Sequence, residues 1–179
     1  VVVAGGVESM SNVEHYATGL RDGQKMGDVT LHDRLSRGRL MSQPIERFGV
    51  ISGMIETADN LAKDHGITRE EADEYAVRSH QRAAAAWDAG KFDDEVVPVE
   101  IPQRRGDPIV FDKDEGFRAD ASMESLSKLR AIDGKRDPEA IVTAGNASQQ
   151  NDAAAACLLV AEDKLAELGL EPMAWFTGW

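Results

Sequence analysis

One stretch, TREEADEYAVRSHQRAAAAWDAG at Thr68–Gly90, constrains this 179-residue chain more than any other. Thr68 with Glu71 three residues on is a capping box, in which each side chain satisfies a backbone N–H at a helix start. Ala72, Tyr75, Ala76, Ser79, Ala83 and Trp87 then recur at helical spacing, which predicts one narrow inward stripe. Gly90 supplies the stop. Immediately upstream, Met54, Ala58, Leu61 and Ala62 share a face of a second helix, stopped by Gly66. The chain is long enough for one domain, or for one domain plus part of another.

The strands are shorter and less certain in kind. Val1–Ala4 reads as a buried strand, with Gly5-Gly6 marking either a tight turn or a close backbone approach. EVVPVEIP alternates with period two and is broken by Pro98, which predicts an edge strand. Pro108–Phe111 reads as its hairpin partner, with the turn near Gly106-Asp107, so RRGD at Arg104–Asp107 is a solvated turn. SMESLSKL predicts a short helix capped by Ser122, with Met123, Leu126 and Leu129 inward. TLHDRLSRG predicts one or two helical turns, and RGRLMSQPIERFGVISG a loop. IVTAG reads as a short strand, and MAWFTGW as a strand-like run. Asn151–Leu168 has two readings. Helix propensity favours one long helix. The unbroken apolar run Ala153–Val160 also fits a strand covered on both faces, followed by a helix at Glu162–Leu168.

Charge removes several function classes. The formal net charge is -12. Residues 1–50 carry six acidic and six basic side chains, so the excess lies beyond Val50. That argues against a nucleic-acid or anionic-membrane surface. No apolar run reaches membrane-spanning length, and no signal-peptide pattern opens the chain, so a cytoplasmic protein is the simplest reading. Both ends read as core strands that need neighbours, as in a segment of a longer protein. His15, His32, His65 and His80 have no partners at ligand spacing, so no metal site is expected. AGG and TAG are too short for a phosphate loop. Cys157 is the one cysteine; it lies in an apolar run without a nearby histidine and reads as a packed core residue rather than a nucleophile.

Two blocks, VVVAGGVESMS and TAGNASQQND, carry a family signature. The first resembles the AGG-x-E-x-MS block of the thiolases, and the second their TAGNAS-G-x-NDGAAA block. The segment MIETADNLAKDHGITREEADEYAVRSHQRAAAAWDAGKFDDEVVPV and the run LSKLRAI are similar to further thiolase blocks in the same order. The resemblance covers essentially the whole chain. It implies an α/β thiolase-like fold, this chain being a fragment of the N-terminal half with its inserted α+β loop domain. Residues 1–10 would be a core strand, 11–141 the loop domain, 142–170 the return to the core as strand plus helix, and 171–179 the start of the C-terminal half. For 153–168 this selects strand then helix over the long helix, because tertiary context overrides local propensity.

The resemblance also implies an activity: acyl transfer between acyl-CoA and CoA or acetyl-CoA, by thiolytic cleavage of 3-ketoacyl-CoA or the reverse Claisen condensation. The substrates are CoA thioesters and no further cofactor is implied. The family's nucleophilic cysteine lies upstream of the AGG strand, and its histidine and second cysteine lie downstream of Trp179. Within this chain the implied catalytic set is therefore none. What remains is the coenzyme A face. Ser148 matches a serine that hydrogen-bonds the pantetheine arm, and Ala144 lines the same channel. Ser125 matches a serine near the adenosine, Arg118 a position at the nucleotide end, and Met54 a methionine near the acyl end. Read without the resemblance, Arg118 is a solvated arginine, Ser148 a turn hydroxyl, Met54 a core methionine, and Asn146 and Asn151 turn-holding side chains. Gly53 stands where acetoacetyl-CoA-type members carry histidine, and Asp133 where they carry an aromatic residue, which points toward a degradative or ketoadipyl-type member. Gln149 and Ala153 replace usual glycines, so Gln149 is expected either to be strained at positive φ or to narrow the CoA channel. The full-length protein is expected to be a homo-oligomer. The alternative reading is a truncated or degenerate thiolase-like chain that binds CoA or a partner protein without catalysis.

Overall fold

The computed structural model describes residues 1–48 and 53–178. Contacts divide the chain into two compact units, Val1–Glu14 with Gln150–Trp179, and His15–Gln149.

The first unit is built on β1 (Val2–Glu8) and β6 (Ala153–Leu159), paired antiparallel from Val2↔Leu159 to Glu8↔Ala153. β1 therefore runs through Gly5-Gly6 instead of ending there. Gly5 answers to close approach: a Cβ on it would lie 2.8 Å from the Ala155 carbonyl oxygen. After β6, a 3-10 turn at Glu162–Lys164 leads into α6 (Leu165–Leu168), which Gly169 ends in the left-handed conformation at φ 64°. The strand-then-helix reading of 153–168 holds, since ladder hydrogen bonds outweigh the helical preference of alanine and leucine. The burial expected for these strands does not. Val3 and Val7 are 73% and 80% exposed, and Cys157, opposite Ala4, is exposed too, because a two-stranded sheet covers neither of its faces. Met173–Gly178 forms no strand. Asp152 closes the unit's loop, accepting from Ser9 Oγ (3.2 Å), Ser11 N (2.8 Å) and the Ser11 hydroxyl.

The second unit opens with β2 (His15–Tyr16) paired to β3 (His32–Asp33), then α1 (Arg34–Leu40), whose N-cap is Asp33, and the short α2 (Ile45–Phe48). The expected loop after Gly38 is thus partly helical, and its residues 49–52 lie outside the described ones. α3 (Met54–His65) and α4 (Arg69–Asp88) form where the caps predict. Gly66 adopts φ 65°, and the Thr68–Glu71 box is complete. Their buried faces differ from the apolar stripes, however. On α3 the buried residues are Asp59 and Ala62, while Met54 and Leu61 are 71% and 48% exposed and Ala58 is exposed. On α4 they are Asp73 and Ala76, with Tyr75 66% exposed and Ser79 exposed.

β4 (Val99–Ile101) and β5 (Ile109–Phe111) make the expected exposed hairpin, with Gly106 at φ 87° in its turn. α5 (Met123–Ser127), capped by Ser122, buries Leu126 against Ala76 and Ala121, whereas Leu129 stays 37% exposed. The expected strand at 141–145 reduces to a bridge, Ala131↔Thr143, followed at once by a turn. Among the described residues no helix is long and apolar enough to cross a membrane.

Candidate functional site: the 143–149 turn and its supports

The turn Thr143–Gln149 is held by buried polar groups. Thr143 is fully buried, and its carbonyl accepts from Ala147 N at 3.0 Å while its hydroxyl accepts from Gly145 N at 3.1 Å. The Asn146 carboxamide works in three directions. Its Oδ1 accepts from Thr143 N at 2.7 Å, and its Nδ2 donates to Ile141 O at 3.0 Å and to Asp73 Oδ1 at 2.9 Å. Asp73, 1% exposed on α4, is the anchor; its Oδ2 accepts from Arg69 Nε at 2.8 Å. Burying that carboxylate is tolerable only because a cation and an amide both meet it. Arg69 reaches further, donating through Nη2 to the carbonyls of Leu126 (2.8 Å) and Leu129 (3.1 Å) at the end of α5.

A second buried acid fixes the approach to the turn. Asp59 Oδ1, on α3, accepts from Ile141 N at 2.8 Å and Val142 N at 3.0 Å. This segment would otherwise leave two strand-like N–H groups unpaired, so one side chain substitutes for a missing ladder. Gly145 packs directly onto α5, where an added Cβ would lie 2.6 Å from Leu129 Cδ1 and 2.9 Å from Leu126 Cγ.

These supports leave the candidate residues outermost. Ala144 and Ser148 are exposed on the turn, and the Ser148 hydroxyl touches only its neighbour's carbonyl, at 3.4 Å. Arg118 is exposed, and its backbone N donates to His80 Nδ1 on α4 at 3.1 Å. Ser125 is exposed but engaged, since its hydroxyl donates to Ser122 O at 2.8 Å and accepts from Ser122 N at 3.1 Å within the α5 capping box. Hydrogen bonds and packing thus join the segments carrying Ala144, Ser148, Ser125 and Arg118. α3 is joined to them through Asp59, not through Met54.

Gln149 is exposed and its Nε2 donates to Gly116 O at 2.7 Å. No non-glycine residue among those described has a positive φ, so the backbone strain expected at Gln149 does not arise. A groove of about 480 Å³ lies between α4 and α5, lined by Arg69, Glu70, Asp73, Met123, Glu124 and Ser127, and none of the five candidates lines it. Among the described residues no cluster of three His, Cys, Asp or Glu is placed to hold a metal.

Sequence reasoning missed Asp59, Arg69, Asp73 and the Gln149–Gly116 bond. A trace was present: Arg69–Asp73 is an i,i+4 ion pair, and Asp59–Ala62 and Asp73–Ala76 each put an acid one turn from an inward alanine.

Comparison with known proteins gives the family and the fold. The family profile described as "Thiolase, N-terminal domain" matches residues 1–163. An acetyl-CoA acetyltransferase of Chromobacterium violaceum is 47% identical over all of this chain, which spans 44% of that relative's length. Human mitochondrial 3-ketoacyl-CoA thiolase superimposes with a TM-score of 0.78 at 37% identity, covering 95% of this chain and 41% of that one. The same human enzyme in complex with CoA gives 0.76 at 36% identity, covering 95% and 40%. With its α/β fold, its turn and its blocks in order, the chain belongs to the thiolase family, within that family's N-terminal domain.

Proposed function

We propose that this chain supplies the coenzyme A-gripping face of a thiolase-type acyltransferase, which moves acyl groups between acyl-CoA and CoA or acetyl-CoA. The observation that carries the reading is the turn itself. Buried Asp73 and half-buried Asn146 hold it in place, while Ser148 and Ala144 stand exposed on it. Small outward residues let an extended arm approach the backbone, and a hydroxyl not spent on the fold remains to bond the arm's amides. Arg118 offers a planar fork suited to phosphate. The relative solved with CoA supports the choice of ligand.

In the protein as the gene encodes it, a cysteine thiolate outside this chain would attack the thioester carbonyl, expel CoA as its thiol and hold the acyl group. The acyl group would then pass to the second acceptor. Cys157 takes no part: it lies on a strand with no described histidine partner. We place the protein in the cytoplasm as a homo-oligomer.

Two measurements test the reading together. Calorimetry should detect CoA binding that weakens when Ser148 is changed to Ala or Arg118 to Ala. The 179-residue chain alone should show no thiolysis of acetoacetyl-CoA. Absence of CoA binding in the protein as encoded would overturn the ligand, and turnover by the isolated chain would overturn the assignment of chemistry to residues elsewhere.

A further inference from the structure

Four contacts close a three-sided circuit around the proposed acyl-CoA face. α4 holds the 143–149 turn through Asp73 and Asn146, at 2.9 Å. The same helix holds the loop 113–118, because His80 Nδ1 accepts from Arg118 N at 3.1 Å and Phe117 stacks on Trp87 with ring centroids 6.4 Å apart. The third side is Gln149, whose Nε2 donates to Gly116 O at 2.7 Å and so joins turn to loop directly. The Gly116 N–H is taken by Asp114 Oδ1 at 2.8 Å, so both polar groups of this glycine are engaged. Ser148 directly precedes Gln149, and Arg118 lies two residues beyond Gly116. The clasp therefore lies between the segments carrying the two side chains that the acyl-CoA reading assigns to the pantetheine and nucleotide ends of the ligand.

We propose that Gln149 is a specificity-determining residue. By clasping the 113–118 loop to the turn it fixes the spacing from Ser148 to Arg118, and so selects thioesters that carry the nucleotide end over those that end at pantetheine. This rests on the acyl-CoA reading given above. A loop already held in place costs a ligand less ordering, but only a ligand long enough to reach that loop gains. A pantetheine thioester touches the turn alone and is indifferent to the clasp. One net hydrogen bond of ordinary strength corresponds to about a five-fold change in affinity.

The test uses the protein as the gene encodes it, with Gln149→Leu, which removes the donor at similar length, and Gln149→Glu, which removes it with a polar group. Calorimetry with CoA and with pantetheine is paired with hydrogen exchange of the ligand-free protein. Both variants should bind CoA about five-fold more weakly, bind pantetheine as the unmodified protein does, and exchange faster over 115–118. Equal losses for CoA and pantetheine, an unchanged CoA affinity, or unchanged exchange over 115–118 would each overturn the clasp. If the unmodified protein binds neither ligand, the acyl-CoA reading falls and the specificity role with it. If it binds CoA and the variants match it, the clasp alone falls.

Discussion

At the scale of single residues, the site depends on one place where a side chain is not allowed. Gly145 faces the end of α5 so closely that a Cβ would meet Leu126 Cγ at 2.9 Å and Leu129 Cδ1 at 2.6 Å. The Leu129 tip is 37% exposed and can swing aside, but Leu126 is 6% exposed and packed in the core with Ala76 and Ala121. The turn, not the helix, must then give way, and the turn is pinned by Asn146. Gly145→Ala is expected to destabilise the protein by about 1–3 kcal/mol, the usual cost of an overpacked contact. If the turn grips CoA as proposed, the substitution should weaken that binding as well, because Ala144 and Ser148 move with it. A urea midpoint that stays where it was would show that the contact relaxes without cost.

At the scale of elements, the chain's helices were legible from caps and spacing while their inward faces were not. The Thr68 hydroxyl accepts from Glu71 N at 3.2 Å, and the Glu71 carboxylate accepts from Thr68 N at 2.8 Å. The Thr68 backbone amide first, and then the Thr68 hydroxyl donating to Glu71 Oε2 at 2.9 Å, hold the Glu71 carboxyl below its ordinary range. Thr68→Ala should cost about 1 kcal/mol, read as a lowered melting temperature, and Thr68→Ser should restore most of it. Equal losses in both variants would mean that the methyl group, not the hydroxyl, matters. Apolar spacing placed Met54, Leu61 and Tyr75 inward because periodicity counts greasy residues. α3 and α4 instead turn Asp59 and Asp73 inward, since the elements they face are irregular backbone with N–H groups and an amide to satisfy. The same cause explains 141–145, which reads as a strand by composition yet pairs through a carboxylate. β6 was ambiguous for a different reason: an alanine run favours helix by propensity, and only its partner, here β1, makes it a strand. Of the candidate site, the exposed positions of Ser148 and Arg118 fit their expected place on a ligand-facing surface. The clasp between them was not legible, since a bond from Gln149 to a backbone carbonyl 33 positions away leaves no pattern in the chain.

At the scale of the whole molecule, an acidic chain uses its carboxylates as crosslinks. Asp152 joins Ser9 and Ser11 to the start of β6, and Asp137 joins Lys63 at 2.5 Å, in each case across a long stretch of sequence. The hydrogen bond from the Ser11 hydroxyl, then the one from its backbone amide, hold the Asp152 carboxyl below the ordinary carboxylate range. The Lys63 hydrogen bond does the same for Asp137, and the Asp137 partner raises Lys63 in turn. A carboxyl lowered by folding contributes stability that is present above its unfolded value, about 3.9, and is lost as pH falls through the lower folded value. A raised lysine contributes below its unfolded value, about 10.4, and its share is lost as pH rises through the folded one. Both groups thus contribute fully at neutral pH, and acid removes the carboxylate share first. With a net charge of -12, falling pH also relieves self-repulsion, which acts in the opposite direction. The two effects separate by substitution, because Asp152→Asn changes the net charge by one in twelve but takes the carboxylate out of one crosslink. The expected result is a loss of stability at pH 7 that begins to shrink as pH falls below about 3.9 and vanishes only below the lowered folded value, where the native carboxyl is itself protonated. Chemical denaturation of both proteins across pH 2–7 measures it directly. A difference between them that stayed constant across that range would show that Asp152 contributes through shape alone.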